Sequence, residues 1–198
     1  MIVVLPYDPA WRQAFEDIKS RLLPALGGLC LCIEHVGSTA VPGLSAKPII
    51  DMDAVIPDRS VLPEVIAALE GIGYTHEGDL GIPGREAFRY DNREQLPAHH
   101  LYVCARDCEE LRRHLAFRDC LRARPEAVRE YSRVKEEAAA LYPRDIDGYI
   151  RYKAPFIEGI YRELNLQAPI KGPVINSRPC PNNEGPLRAG AQAVCSSQ

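Results

Sequence analysis

No stretch of the 198-residue sequence approaches the ~18 uninterrupted apolar residues that a membrane span requires. The segment from Met1 to Asp8 has no basic residue ahead of its short apolar run and reaches Pro6 at once, so no secretory signal is expected. A cytoplasmic location, and free thiols at all seven cysteines, follow as expectations. An excess of charge of one sign is also missing. Lys and Arg total 24 against 27 Asp and Glu, a formal net charge of −3, which gives no general pull toward nucleic acid or an anionic membrane. Any anionic ligand therefore has to be held by a local cluster. No internal repeat recurs at a useful period, which excludes a solenoid. What is present is an ordinary globular composition, 46% hydrophobic and 26% charged, at a length that suits one domain.

The composition changes after residue 166. Five prolines and three glycines fall among few large apolar residues from Gln167 onward, so 1–166 is expected to be the folded domain and 167–198 a loose, disordered tail. Within the domain, Asp8 and Pro9 open a helix through Trp11, Phe15, Ile18 and Leu22. Leu29–Val36 and Ile49–Ile56 read as strands on either side of a Gly-, Pro-, Ser- and Thr-rich loop. A helix over Ser60–Gly71, capped by Ser60, follows. Arg85–Asp91 and His99–Cys104 read as strands, and Cys108–Arg124, Pro125–Tyr142 and Ile146–Leu164 as helices, the last kinked at Pro155. Strands followed by helices predict an α/β or α+β fold, a mixed sheet with a helical C-terminal half.

The second strand carries the chemistry. Residues two apart on a strand share a face, so Asp51 and Asp53 project together while Ile50, Met52 and Ala54 point the other way. Aspartate is depleted in strands, and two like charges side by side gain a sheet nothing. A hard divalent cation, Mg²⁺ or Mn²⁺, resolves that repulsion; exposure to water is the plainer alternative. Thirteen residues before Asp51, Ser38 follows Gly37 directly after the first strand. Such a turn aims N–H groups and a hydroxyl at phosphate oxygens. It is not a P-loop, since no Gly-Lys-Ser/Thr follows. A phosphate-facing turn ahead of metal-facing carboxylates is the arrangement that phosphoryl and nucleotidyl transfer use.

Gly37 and Ser38 followed by Asp51 and Asp53 resemble the signature of the polymerase-β-like nucleotidyltransferase superfamily, and the fuller string from Glu34 to Asp53 is similar to the GrpB family within it. Further matches lie at Gly84, Arg85, Glu86 and Phe88, at His100–Val103, at Phe117–Pro125, and at Tyr149, Lys153, Phe156 and Ile157, so the likeness spans about Pro6 to Leu164. The resemblance implies a nucleotidyltransferase fold, a small mixed sheet flanked by helices with its cleft over the Asp-bearing strand. It implies Mg²⁺-dependent nucleotide binding and nucleotidyl transfer to an unknown acceptor, with Asp51 and Asp53 as catalytic metal ligands and a nucleotide triphosphate as partner. Gly37, Ser38, Lys47, Arg85 and Lys153 are then the phosphate-binding set, because they sit in or beside the matched strings. Members of the family fused to dephospho-coenzyme A kinase imply a link to coenzyme A metabolism.

One departure from the superfamily pattern stands out. A third carboxylate is usual on a later strand, and the strand here reads His99-His100-Leu101-Tyr102-Val103. His100 is the expected third metal ligand, with an exposed histidine beside a tyrosine as the alternative. Without a third acid, a non-catalytic nucleotide- or coenzyme-binding module working with a partner enzyme is the rival function. Cys104 and Cys108 lack a second Cys-x-x-Cys pair, so no zinc set is expected. The arginines from Arg112 to Arg133 alternate with acids and read as a salt-bridged solvent face. His35 reads either as a cleft residue or as a hydrogen-bonded structural one.

Overall fold

The computed structural model describes residues 1–92 and 94–166; the expected tail at 167–198 lies outside them. Ten elements form the domain: α1 (Ala10–Leu26), β1 (Cys32–Val36), β2 (Ile50–Ile56), α2 (Leu62–Glu70), β3 (Tyr74–Gly78), β4 (Arg85–Tyr90), β5 (His99–Ala105), α3 (Glu109–Arg122), α4 (Pro125–Leu141) and α5 (Ile146–Glu163). The strands make one mixed sheet in the order β1-β2-β5-β4-β3. Only the β2–β5 pair is parallel; the other three are antiparallel. The fold is α+β.

Each face of the sheet has its own cover. Met52, Ala54, Leu101, Val103, Phe88 and Ile33 pack against Trp11, Phe15, Ile18, Leu22 and Leu26 of α1 and against Val65 and Leu69 of α2. The α1 residues recur three or four apart because that spacing makes one apolar stripe, and burying each such side chain is worth about 1.5–3 kcal/mol. Asp8 starts the helix, its Oδ1 accepting from the Ala10 N–H at 2.9 Å. The opposite face lies beneath α3, α4 and α5, where smaller clusters form around Val41, Leu44, Leu121 and Tyr131 and around Val55, Cys104 and Leu111. The division between the two faces runs through β2 and β5, residue by residue.

Some local expectations need correction. Gly27, held at φ +51°, ends α1 and opens a 3-10 turn over Gly27–Leu29, so β1 starts at Cys32 rather than Leu29. The α2 region is capped by Asp58, which accepts from the Ser60 N–H at 2.8 Å, and not by Ser60. Strand β3 has no counterpart in the sequence reading. It is an edge strand on which only Tyr74 is buried, so it lacks the apolar alternation that marks a half-buried strand. The α3 arginines are largely not a solvent face. Arg118 donates to Glu34 Oε2 at 2.7 Å and to the His35 carbonyl at 3.0 Å, and Arg122 donates to the Ala40 carbonyl at 2.7 Å. They clamp β1 and the loop after it onto the helix.

Candidate functional site

The pleat sends Asp51 and Asp53 toward α3–α5 and their neighbours Ile50, Met52 and Ala54 into the core. Parallel pairing then sets His100 beside Asp51 and Tyr102 beside Asp53. His100 Nδ1 lies 2.9 Å from Asp51 Oδ1. On the other side β1 ends opposite Asp51 at Val36, and Gly37 follows at φ +67°, ψ −164°, a region open essentially only to glycine. A Cβ added there would sit 2.3 Å from Asp51 Oδ2. The loop backbone thus passes directly over the carboxylate.

Beside Asp51 opens a cavity of about 210 Å³ whose polar lining is Ser38, Lys47, Asp51, His100, Lys135, Tyr149 and Lys153. The three lysines come from three places: the loop before β2, α4 and α5. The buried Tyr149 ring lies close to two of them, its centroid 4.4 Å from Lys153 Nζ and 5.7 Å from Lys47 Nζ. Lys135 is 2% exposed. Its Nζ donates to the Ser45 carbonyl at 2.7 Å and sits 4.5 Å from the Tyr131 ring centre. Among the described residues none of the three lysines has a carboxylate within 4.0 Å. Burial, then repulsion by Lys153, draws Lys135 well below the ordinary lysine range, with Asp51 opposing. Burial and then Lys47 lower Lys153 to about 8. Amines depressed by one another and by burial mark a cavity short of negative charge.

Asp53 has a different fate. It is fully buried and outside the cavity lining. Its Oδ2 lies 2.7 Å from His114 Nδ1, and His114 Nε2 lies 3.3 Å from Glu110 Oε1, which in turn belongs to a carboxylate bonded to Arg113 at 2.6 Å. With a carboxylate at each ring nitrogen, His114 is an imidazolium. Burial opposes that charge, but the hydrogen bonds to Asp53 and Glu110 outweigh it and raise the group to about 10. Asp53 Oδ1 is buried without a partner.

A divalent cation needs several oxygens converging on one point. Here Asp51 Oδ1 is held by His100, Asp51 Oδ2 lies against Gly37, and Asp53 Oδ2 is held by His114. Among the described residues no group of three or more His, Cys, Asp or Glu side chains is placed to hold a metal ion. As arranged, Asp51, Asp53 and His100 do not fit a divalent cation; the cavity suits an anion.

Of the residues expected to hold phosphate, Ser38, Lys47 and Lys153 line the cavity and Gly37 borders it. Arg85 does not. It is 8% exposed, stacks on the Tyr102 ring at 4.2 Å, and pairs across the sheet with Cys104. Lys135 and His114 were not foreseen as site residues. A signal existed for the first: Val128, Tyr131, Lys135 and Ala138 lie on one helical stripe, which places the lysine inside. His35 faces the core, stacked on Phe15 at 4.6 Å with Nε2 3.0 Å from Thr39 Oγ1, and is a structural histidine.

Burial lowers His35 from 6.5 to about 4. The unfolded chain therefore takes up its proton first, and stability falls as pH drops through that window, by up to about 3 kcal/mol at full titration. Urea unfolding followed at pH 7 and pH 4.5 should show a smaller acid loss in His35→Gln than in the unaltered chain; equal losses would refute the assignment.

Comparison with known proteins bears on the same residues. The family model described as "GrpB protein" matches residues 1–163. The UPF0157 protein YqkA of Bacillus subtilis is 33% identical over 157 residues, 79% of this chain and 45% of that protein. A dephospho-CoA kinase of Mycolicibacterium paratuberculosis is 29% identical over 182 residues, covering 80% of this chain and 45% of its own. This chain thus spans about half the length of both. The crystal structure of conserved protein GrpB from Enterococcus faecalis superposes with a TM-score of 0.73 at 36% identity, over 81% of this chain and 96% of that one. With nearly every described residue inside the matched span, the chain belongs to the GrpB family.

Proposed function

We propose that this GrpB chain binds a phosphorylated small molecule, a nucleotide triphosphate or a related coenzyme, in the lysine-lined cavity beside Asp51. The convergence of Lys47, Lys135 and Lys153 with Ser38 on one small cavity carries this reading, because lysine side chains without carboxylate partners are what an oligophosphate requires. The Gly37–Ser38 turn adds a hydroxyl and a close backbone approach. The volume of about 210 Å³ is below the ~300–1,000 Å³ that encloses a drug-sized ligand. It holds the phosphate end and leaves the nucleoside outside. The relationship to a protein named dephospho-CoA kinase is in keeping with a nucleotide- or coenzyme-like ligand. The chain then acts as a binding module beside a partner enzyme.

Calorimetry with ATP tests this. Each charge-assisted hydrogen bond is worth about 1.5–3 kcal/mol, so replacing both Lys47 and Lys153 by Met should weaken binding by roughly 10²–10⁴-fold while the circular dichroism spectrum is retained. Equal affinity in the double variant would reject the site.

A second reading keeps nucleotidyl transfer with Mg²⁺ or Mn²⁺, and the unpartnered Oδ1 of Asp53 is the observation in its favour. That reading requires Asp51 and Asp53 to leave His100 and His114, because as arranged they do not hold an ion. Pyrophosphate released from labelled nucleotides with either metal, and lost in Asp51→Asn, would support it; binding without release supports the module.

A further inference from the structure

We infer that the cavity takes its phosphate ligand as the free anion, uncomplexed by a divalent cation, with lysine ammonium groups standing where a metal would otherwise bridge protein and phosphate. This rests on the reading of the cavity as a phosphate site and narrows its ligand to an uncomplexed phosphate ester, diphosphate or triphosphate.

Three observations converge on it. First, the carboxylate oxygens of β2 do not converge on one point in the cavity. Asp51 Oδ1 is bonded to His100 at 2.9 Å, Asp51 Oδ2 lies beneath the Gly37 backbone, and Asp53 Oδ2 is bonded to His114 at 2.7 Å. Asp53 Oδ1, buried without a partner, belongs to a fully buried residue that does not line the cavity. Second, the neighbouring acids are taken as well. Glu34 is paired with Arg118 at 2.7 Å and Glu110 with Arg113 at 2.6 Å, so neither supplies the oxygen that a third ligand would need. Third, the cavity wall sets three lysines against the single carboxylate of Asp51. Metal and ammonium compete for the same phosphate oxygens. A magnesium complex also carries less negative charge to meet the lysines than the free ligand does, so the free form fits this wall better.

The sign of the Asp51 contribution follows. In a metal-bridged site, Asp51 holds the cation and its removal abolishes binding. In a lysine site, Asp51 is the one wall charge that repels the ligand, and its removal tightens binding. The full chain and its Asp51→Asn variant can be titrated with inorganic pyrophosphate by calorimetry, once in EDTA and once with excess MgCl₂. Asn keeps an oxygen for the His100 ring nitrogen, and thermal unfolding reports whether the variant folds.

Expected are binding in EDTA, no gain on adding magnesium, and roughly tenfold tighter binding in Asp51→Asn, as for one like charge removed near a protein surface. Binding that appears only with magnesium, or that is lost in Asp51→Asn while the variant remains folded, would overturn the inference and leave the phosphate site standing. No binding of pyrophosphate with or without the metal would overturn the phosphate reading itself and this inference with it. Binding in EDTA that survives replacement of Lys47 and Lys153 by Met would place the ligand elsewhere and also overturn it.

Discussion

His114→Ala should destabilise the domain by about 3–5 kcal/mol at neutral pH, the loss found when one partner of a buried ion pair is removed. The cost comes from what is left behind. Asp53 is fully buried, and among the described residues its bond to His114 at 2.7 Å is the one hydrogen bond either of its oxygens makes. Glu110 loses a partner too but keeps Arg113. The effect carries a pH signature of definite sign. Because the folded state raises His114 from 6.5 to about 10, its contribution is fully present below pH 6.5 and fades as pH rises through 10. Urea unfolding should therefore show a wide gap between the unaltered chain and His114→Ala at pH 6 that narrows toward pH 10. A gap below about 1 kcal/mol at pH 6 would mean that Asp53 does not depend on the imidazolium, since that is the scale of an exposed pair.

Gly37→Ala should be nearly as severe and should reach the ligand as well. A side chain forced into this backbone region costs about 1–3 kcal/mol, and the new methyl would stand 2.3 Å from Asp51 Oδ2 and 2.8 Å from Asp51 Cβ. Asp51 has no room to retreat, because His100 holds its other oxygen and β1 and β5 flank its strand. Loss of stability is therefore expected together with a tenfold or greater loss of pyrophosphate affinity, on the order of 1.4 kcal/mol. Gly43→Ala makes the control. Gly43 is also at positive φ, +82°, but a methyl there meets only Val128, at an ordinary 3.7 Å. It should lose stability from the backbone alone and keep its affinity. Equal affinity loss in both variants would show that loop strain, not contact with Asp51, governs binding.

Much of this architecture is legible in the sequence. The periods of β1, β2, β5 and the long helices are strong because each buries a whole face or stripe. For the same reason, the side of β2 occupied by Asp51 and Asp53 followed from alternation alone, as did the placement of His100 and Tyr102 opposite Leu101 and Val103. The different fates of Asp51 and Asp53 were not legible. Whether an aspartate meets a cavity or an imidazolium is decided by α3, which brings His114 to Asp53 across 61 residues of chain. Lys135 was obscured by its own charge among acids and arginines, although its stripe on α4 is apolar. Arg85 misled in the opposite sense. It opens its strand within a matched string, yet it stacks on Tyr102 beneath the helices, because cross-strand register and not sequence proximity decides what a strand residue faces.

The order in which the parts arrive along the chain has a consequence for synthesis. All five strands precede α3, while Lys135 and Lys153 lie on the last two helices. On a ribosome, the aspartate-bearing sheet therefore emerges with one side bare and with no pocket for ligand. Asp53 stays wet until α3 delivers its imidazole, and the lysine-lined cavity is complete only when α4 and α5 dock.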